Sequence, residues 1–99
     1  MVTIQFGLNK ENIEKAGYTI AEVENYLRDF YAQRHAAEIA YLTFRRNDEN
    51  AMCDLGRIGW VMRRDPLFLS FLECCVWNVG GEVEDCLAAI KRYITEQDA

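Results

Sequence analysis

Apolar and polar residues alternate from the start of the chain: Val2, Ile4 and Phe6 against Thr3 and Gln5, with Gly7 as the stop. A period of two predicts a short strand over 2–6. Its backbone must find partners elsewhere in the chain or across a dimer, or else lie extended. The period then lengthens. Asn9 can cap a short helix over 10–16, with Leu8 and Ile13 as a hydrophobic staple, Glu11 and Lys15 as an i,i+4 pair and Gly17 as the stop. Thr19-Ile20-Ala21-Glu22 is a capping box flanked by Tyr18 and Val23 at the staple positions.

After the box an apolar seam runs Ile20, Val23, Leu27, Phe30, Ala37, Tyr41 and Phe44, broken at its middle by Arg34. A second stripe, Tyr31, His35, Ile39 and Leu42, lies about 100° round the helix. No Gly or Pro interrupts residues 20–46, so one long helix of about 40 Å is expected. Residues 39–44 are rich in strand formers, which leaves a strand paired with 2–6 as the alternative there. A further helix over 49–63 places Met52, Leu55, Ile58 (or Gly59) and Met62 inward, with Gly56 and Gly59 allowing close packing or a break.

Asp65-Pro66 is a helix start. From Leu67 to Trp77 nearly every position is apolar, with Glu73 the one charge, and a helix apolar all round is a buried one. Asn78-Val79-Gly80-Gly81 ends it, and an amphipathic helix over 82–96 follows. The expected fold is therefore mainly α: four or five helices around a buried central helix at about 66–79, with a short strand at 2–6, making one helical domain over 1–99.

Composition narrows the class. Apolar residues are 51% of the 99 and charged ones 27%, too much burial potential for a disordered or collagen-like chain. The net charge is −5 and uneven. Residues 45–64 hold 5 basic and 3 acidic side chains, whereas residues 65–99 hold 2 basic and 7 acidic. The balance works against non-specific attraction to polyanions. The longest weakly charged stretch, Pro66 to Gly81, is shorter than the roughly 20 residues a membrane-spanning helix needs. With no signal-peptide pattern at the N-terminus and with Cys74 and Cys75 adjacent, reduced cysteines and a cytoplasmic location are expected.

Candidate chemistry is thin. Cys53, Cys74, Cys75 and Cys86 lack zinc-ligand spacing, and His35 is the only histidine, so neither a metal nor another cofactor is expected. No cysteine carries a nucleophile signature, and Gly56-Arg57-Ile58-Gly59 lacks the Lys-Ser/Thr of a phosphate loop. No catalytic residue is assigned.

Interaction surfaces are the better-supported expectation. The long helix carries more apolar area than a domain of this size covers, which points to a partner or a second copy meeting Arg34, His35, Ile39, Tyr41, Leu42 and Phe44. Glu82, Glu84 and Asp85 form an acidic docking face for a basic partner. The expected function is a non-catalytic, acidic protein-interaction module, a homodimeric accessory, regulatory or inhibitor protein. The alternative is a helical nucleic-acid binder using Arg57, Trp60, Arg63 and Arg64, since a basic stripe with an exposed aromatic can hold phosphates and stack a base. The acidic balance of the chain disfavours it.

Overall fold

Residues 2–8 form the centre of a five-stranded antiparallel sheet in the computed structural model, which describes residues 1–98. In chain order the elements are β1 (Val2–Leu8), α1 (Lys10–Lys15), α2 (Ile20–Ala32), β2 (Ala37–Ala40), β3 (Thr43–Arg46), α3 (Ala51–Leu55), α4 (Ile58–Arg64), α5 (Pro66–Ser70), β4 (Leu72–Val79), β5 (Glu82–Asp85) and α6 (Cys86–Asp98). The sheet order is β2-β3-β1-β4-β5. Ile4 lies opposite Phe44 on one side and Trp77 on the other, so both neighbours of β1 share its pleat.

That pleat sets the layers. Val2, Ile4, Phe6 and Leu8 point to one face with Phe44, Leu72 and Cys75, where they are buried against Ile13, Leu27, Tyr31, Leu55, Ile58, Met62 and Leu87 of the helices. The other face carries Gln5, Arg45, Cys74 and Val83, all exposed. The molecule is a slab of 37 × 35 × 20 Å, one sheet and one helical layer.

Several local signals form as the side chains dictate. Asn9 accepts from the Asn12 backbone N–H, and Leu8 and Ile13 are both buried. Glu11 pairs with Lys15 at 2.9 Å. The Thr19–Glu22 capping box closes in both directions. Asp65 accepts from the Phe68 N–H, with Pro66 in the first turn.

The mainly helical bundle does not form, and four of the expected helices are shortened, split or replaced by strands. The helix expected over 20–46 ends at Ala32; His35 takes φ 57°, and the Ala36 N–H turns back to the Tyr31 carbonyl at 3.0 Å while the His35 N–H reaches that of Ala32 at 3.1 Å. This pair of bonds is a Schellman stop with His35 in its left-handed position. The strand alternative for 39–44 is the nearer of the two: β2 and β3 form a hairpin through Tyr41 and Leu42, and β3 pairs with β1.

The central helix expected at 66–79 is only one turn and a half, α5, and its remainder is β4, hydrogen-bonded along β1 from Val2↔Val79 to Gly7↔Cys74. The helix expected over 82–96 gives its first four residues to β5, because Gly80 and Gly81 both take positive φ, 59° and 95°, the geometry of a tight two-residue hairpin. The helix expected over 49–63 breaks at Gly56 into α3 and α4; a Cβ there would come within 2.9 Å of the Met52 carbonyl oxygen. Among the described residues no helix is long and apolar enough to cross a membrane.

Candidate functional site

An apolar cleft of about 270 Å³ lies between the start of α2 and the length of α5. Tyr18, Val23 and Tyr26 line it from one side, and Leu67, Phe68 and Phe71 from the other. Tyr18 meets Phe71 edge to face at 5.5 Å between ring centroids, and Tyr26 meets Phe68 at 5.3 Å. Phe68 and Phe71 are buried, whereas Tyr18 and Tyr26 are each 44% exposed and Leu67 46%. Glu22 and Asp65 complete the lining.

Both carboxylates are fixed by helix starts. Glu22 Oε1 accepts from the Thr19 backbone N–H and hydroxyl, each at 3.1 Å. Asp65 Oδ1 accepts from the Phe68 N–H at 3.1 Å. Capping thus holds two negative charges against an aromatic wall, each with its second oxygen unused among the described residues. Among the described residues no basic side chain lines the cleft. The sequence marks Tyr18, Glu22 and Asp65 only as capping and staple residues; it does not bring residues 18–26 to residues 65–71, which is a product of the fold.

The expected partner interface is dispersed. Leu42 and Phe44 are core residues, at 0% and 2% exposure, so they are not available to a partner. Leu42 adopts φ 47°, and its N–H donates to Glu38 Oε2 at 2.9 Å. Ile39 and Tyr41 stay exposed on and beside the edge strand β2, where the Tyr41 hydroxyl donates to Glu24 at 2.6 Å. His35 is exposed at the helix stop, and the Arg34 guanidinium lies 3.7 Å from the centroid of the Phe30 ring. Arg34 and His35 instead share a shallow polar depression with Arg57 and Asp54.

Glu82, Glu84 and Asp85 are all exposed, but on the edge strand β5 rather than on a helix. Glu84 lies opposite Trp77, on the helix side, while Asp85 lies opposite Val76, on the open face. The acids therefore border both faces of one sheet edge.

Trp60, Arg63 and Arg64 gather in one cluster, whereas Arg57 turns to the depression that holds Arg34, His35 and Asp54. Trp60 is 56% exposed, with the guanidinium of Arg63 4.1 Å and that of Arg64 5.3 Å from its ring. Arg63 also lies 4.7 Å from the Tyr93 ring of α6, an alternation of rings and cations the sequence order alone does not reveal. Arg57 leans 3.6 Å from Asp54.

The four cysteines are free thiols. Cys75 is buried beside Cys86, and that neighbour together with burial pushes its thiol up, while donation from Cys75 holds the Cys86 thiol down. Comparison with protein-family models, with curated proteins and with solved structures finds no match.

Proposed function

We propose that the protein is a non-catalytic, acidic protein-interaction module, an accessory, regulatory or inhibitor protein that docks on a basic segment of its partner through β5. The observation that carries this reading is the edge itself. β5 pairs with β4 on one side only, all four of its residues are exposed, and three of them are carboxylates. An unpaired strand edge offers backbone donors and acceptors for strand addition, and carboxylates on both faces favour a lysine- or arginine-bearing strand. Free cysteines suit a cytoplasmic setting, which belongs to the same proposal.

Self-association is assigned to the opposite edge. β2 carries no lysine or proline to discourage pairing and leaves Ile39 47% and Tyr41 54% exposed. Two copies joined there about a two-fold axis would continue the sheet and leave both β5 edges free.

The test is an affinity capture with wild type beside a variant carrying Glu82→Lys, Glu84→Lys and Asp85→Lys, checked for an unchanged circular dichroism spectrum. Proteins held by wild type and lost with the variant support docking through β5. An identical set of captured proteins overturns it. Sedimentation at micromolar concentration tests the dimer: wild type should shift to monomer on Ile39→Lys, and a monomeric wild type removes that part.

A second reading rests on the exposed Trp60 with its flanking arginines, an arrangement suited to stacking a nucleotide base and holding phosphates. A low-salt gel shift with single-stranded oligonucleotides, lost on Arg63→Glu and Arg64→Glu, would favour it over the acidic edge.

A further inference from the structure

We infer that the cleft between α2 and α5 is a receptor for an arginine side chain presented by a partner polypeptide. The inference goes beyond docking through β5 and concerns a separate surface.

Three observations converge on that occupant. The walls are aromatic, with the half-exposed Tyr18 and Tyr26 and the buried Phe68 and Phe71 lining one cavity. Among the described residues, the charged groups lining the cleft are the carboxylates of Glu22 and Asp65, and no cationic side chain joins them there. Its volume of about 270 Å³ lies just below the 300–1,000 Å³ usual for small-molecule pockets, which suits one long side chain.

A planar guanidinium meets all three conditions. It is weakly hydrated, stacks on aromatic faces and carries donors enough for two carboxylates at once, whereas a lysine ammonium is a compact and strongly hydrated point charge. The protein's own arginines behave this way: Arg34 lies over Phe30, and Arg63 sits between Trp60 and Tyr93. The second oxygens of Glu22 and Asp65 remain for an incoming donor, because each cap uses only the first.

The experiment is a titration of isotope-labelled protein with three capped tripeptides, Gly-X-Gly, in which X is arginine, citrulline or lysine, read by aromatic and backbone NMR shifts. Citrulline keeps the planar shape and loses the charge. The arginine peptide should saturate shifts confined to Tyr18, Tyr26, Phe68 and Phe71, with the citrulline peptide weaker by about ten-fold and the lysine peptide intermediate. Glu22→Gln and Asp65→Asn keep an oxygen for each cap and remove only the charge, so the folded double variant should weaken arginine binding by about ten-fold. Tyr26→Leu should weaken it with both carboxylates intact. Equal binding of arginine and citrulline overturns the inference, as do shifts centred elsewhere or no saturable response. Because the probes are peptides and the variants leave β5 untouched, the result is independent of whether β5 captures a partner.

Discussion

The Tyr31 hydroxyl donates a 2.9 Å hydrogen bond to the carbonyl oxygen of Leu55, tying α2 to the end of α3 beneath the sheet. The ring is fully buried and stacks on Phe44 at 4.5 Å, so one side chain joins two helices to β3. Its removal to phenylalanine keeps the stack and strips the Leu55 carbonyl of that donor. Tyr31→Phe should cost about 1–3 kcal/mol in urea unfolding at neutral pH. Burial also holds the Tyr31 phenol well above its ordinary range. The neutral form is then favoured on folding, so its contribution is complete below the unfolded value, about pH 10, and fades as pH rises beyond it. The difference between wild type and Tyr31→Phe should accordingly shrink from pH 9 to pH 11, and a constant difference would contradict the buried placement.

Gly17 and His35 occupy equivalent places in two helix stops. The Tyr18 N–H returns to Ile13 as the Ala36 N–H returns to Tyr31, and both pivots have positive φ, 85° and 57°. Glycine takes this conformation freely, whereas a side chain pays roughly 1–2 kcal/mol for it. The His35 side chain is exposed and makes no hydrogen bond or ion pair among the described residues, so His35→Gly should stabilise the fold by about 0.5–1 kcal/mol. Gly17→Ala should lower stability by about 1 kcal/mol. Thermal melts of the two variants, moving in opposite directions, check both.

The same pair explains where the sequence is legible. The Asn9 cap, the Thr19–Glu22 capping box, the Asp65-Pro66 start and the Gly17 stop rest on short-range chemistry, and each forms where it is expected. The His35 stop carries no glycine or asparagine to announce it, so the apolar stripe ran on into residues that are β2 and β3. The run from Leu72 to Val79 is apolar enough for a buried helix or a buried strand, and periodicity alone cannot separate them. What decides is the need of β1 for partners on both sides. Gly80-Gly81 is the one local sign of a hairpin, and its weight shows only beside that need. The acidic edge and the exposed Arg–Trp face are visible as composition; the aromatic cleft is not, since its walls lie about forty residues apart in the chain.

Glu38 is the electrostatic pin of the β2–β3 hairpin. Its carboxylate receives Arg28 Nε at 2.8 Å and Nη2 at 3.2 Å while also accepting the Leu42 N–H. The Arg28 guanidinium, aided by that N–H, holds the carboxyl below its ordinary range, against a smaller opposing effect of desolvation. Its ionised form is favoured on folding. The resulting stability is present above the unfolded value, about pH 4.3, and lost as pH falls through the lower folded value. Glu38→Gln should therefore be less stable than wild type at pH 7 and approach it as the pH is lowered from 7 to below the unfolded value of about 4.3. Urea midpoints measured across that span test it; parallel curves would mean the pair contributes nothing to folding.

Thiol reactivity offers a direct check on the register of β4. Cys53 and Cys74 are exposed, Cys86 is half-buried, and Cys75 points into the core one residue along the strand from Cys74. Only the thiolate attacks a disulfide reagent, so access and ease of ionisation act together. Cys53 and Cys74 have the access. Cys86 has partial access and a thiol eased toward ionisation by its neighbour, whereas Cys75 has neither advantage. An aromatic disulfide at pH 8, followed by peptide mass spectrometry, should modify Cys53 and Cys74 first, Cys86 next, and Cys75 only once denaturant is added. A one-residue slip of β4 would exchange the behaviour of Cys74 and Cys75, because successive strand residues face opposite ways. Rapid labelling of Cys75 with protection of Cys74 would thus place Trp77 and Val79 on the open face and undo the core assigned to β1.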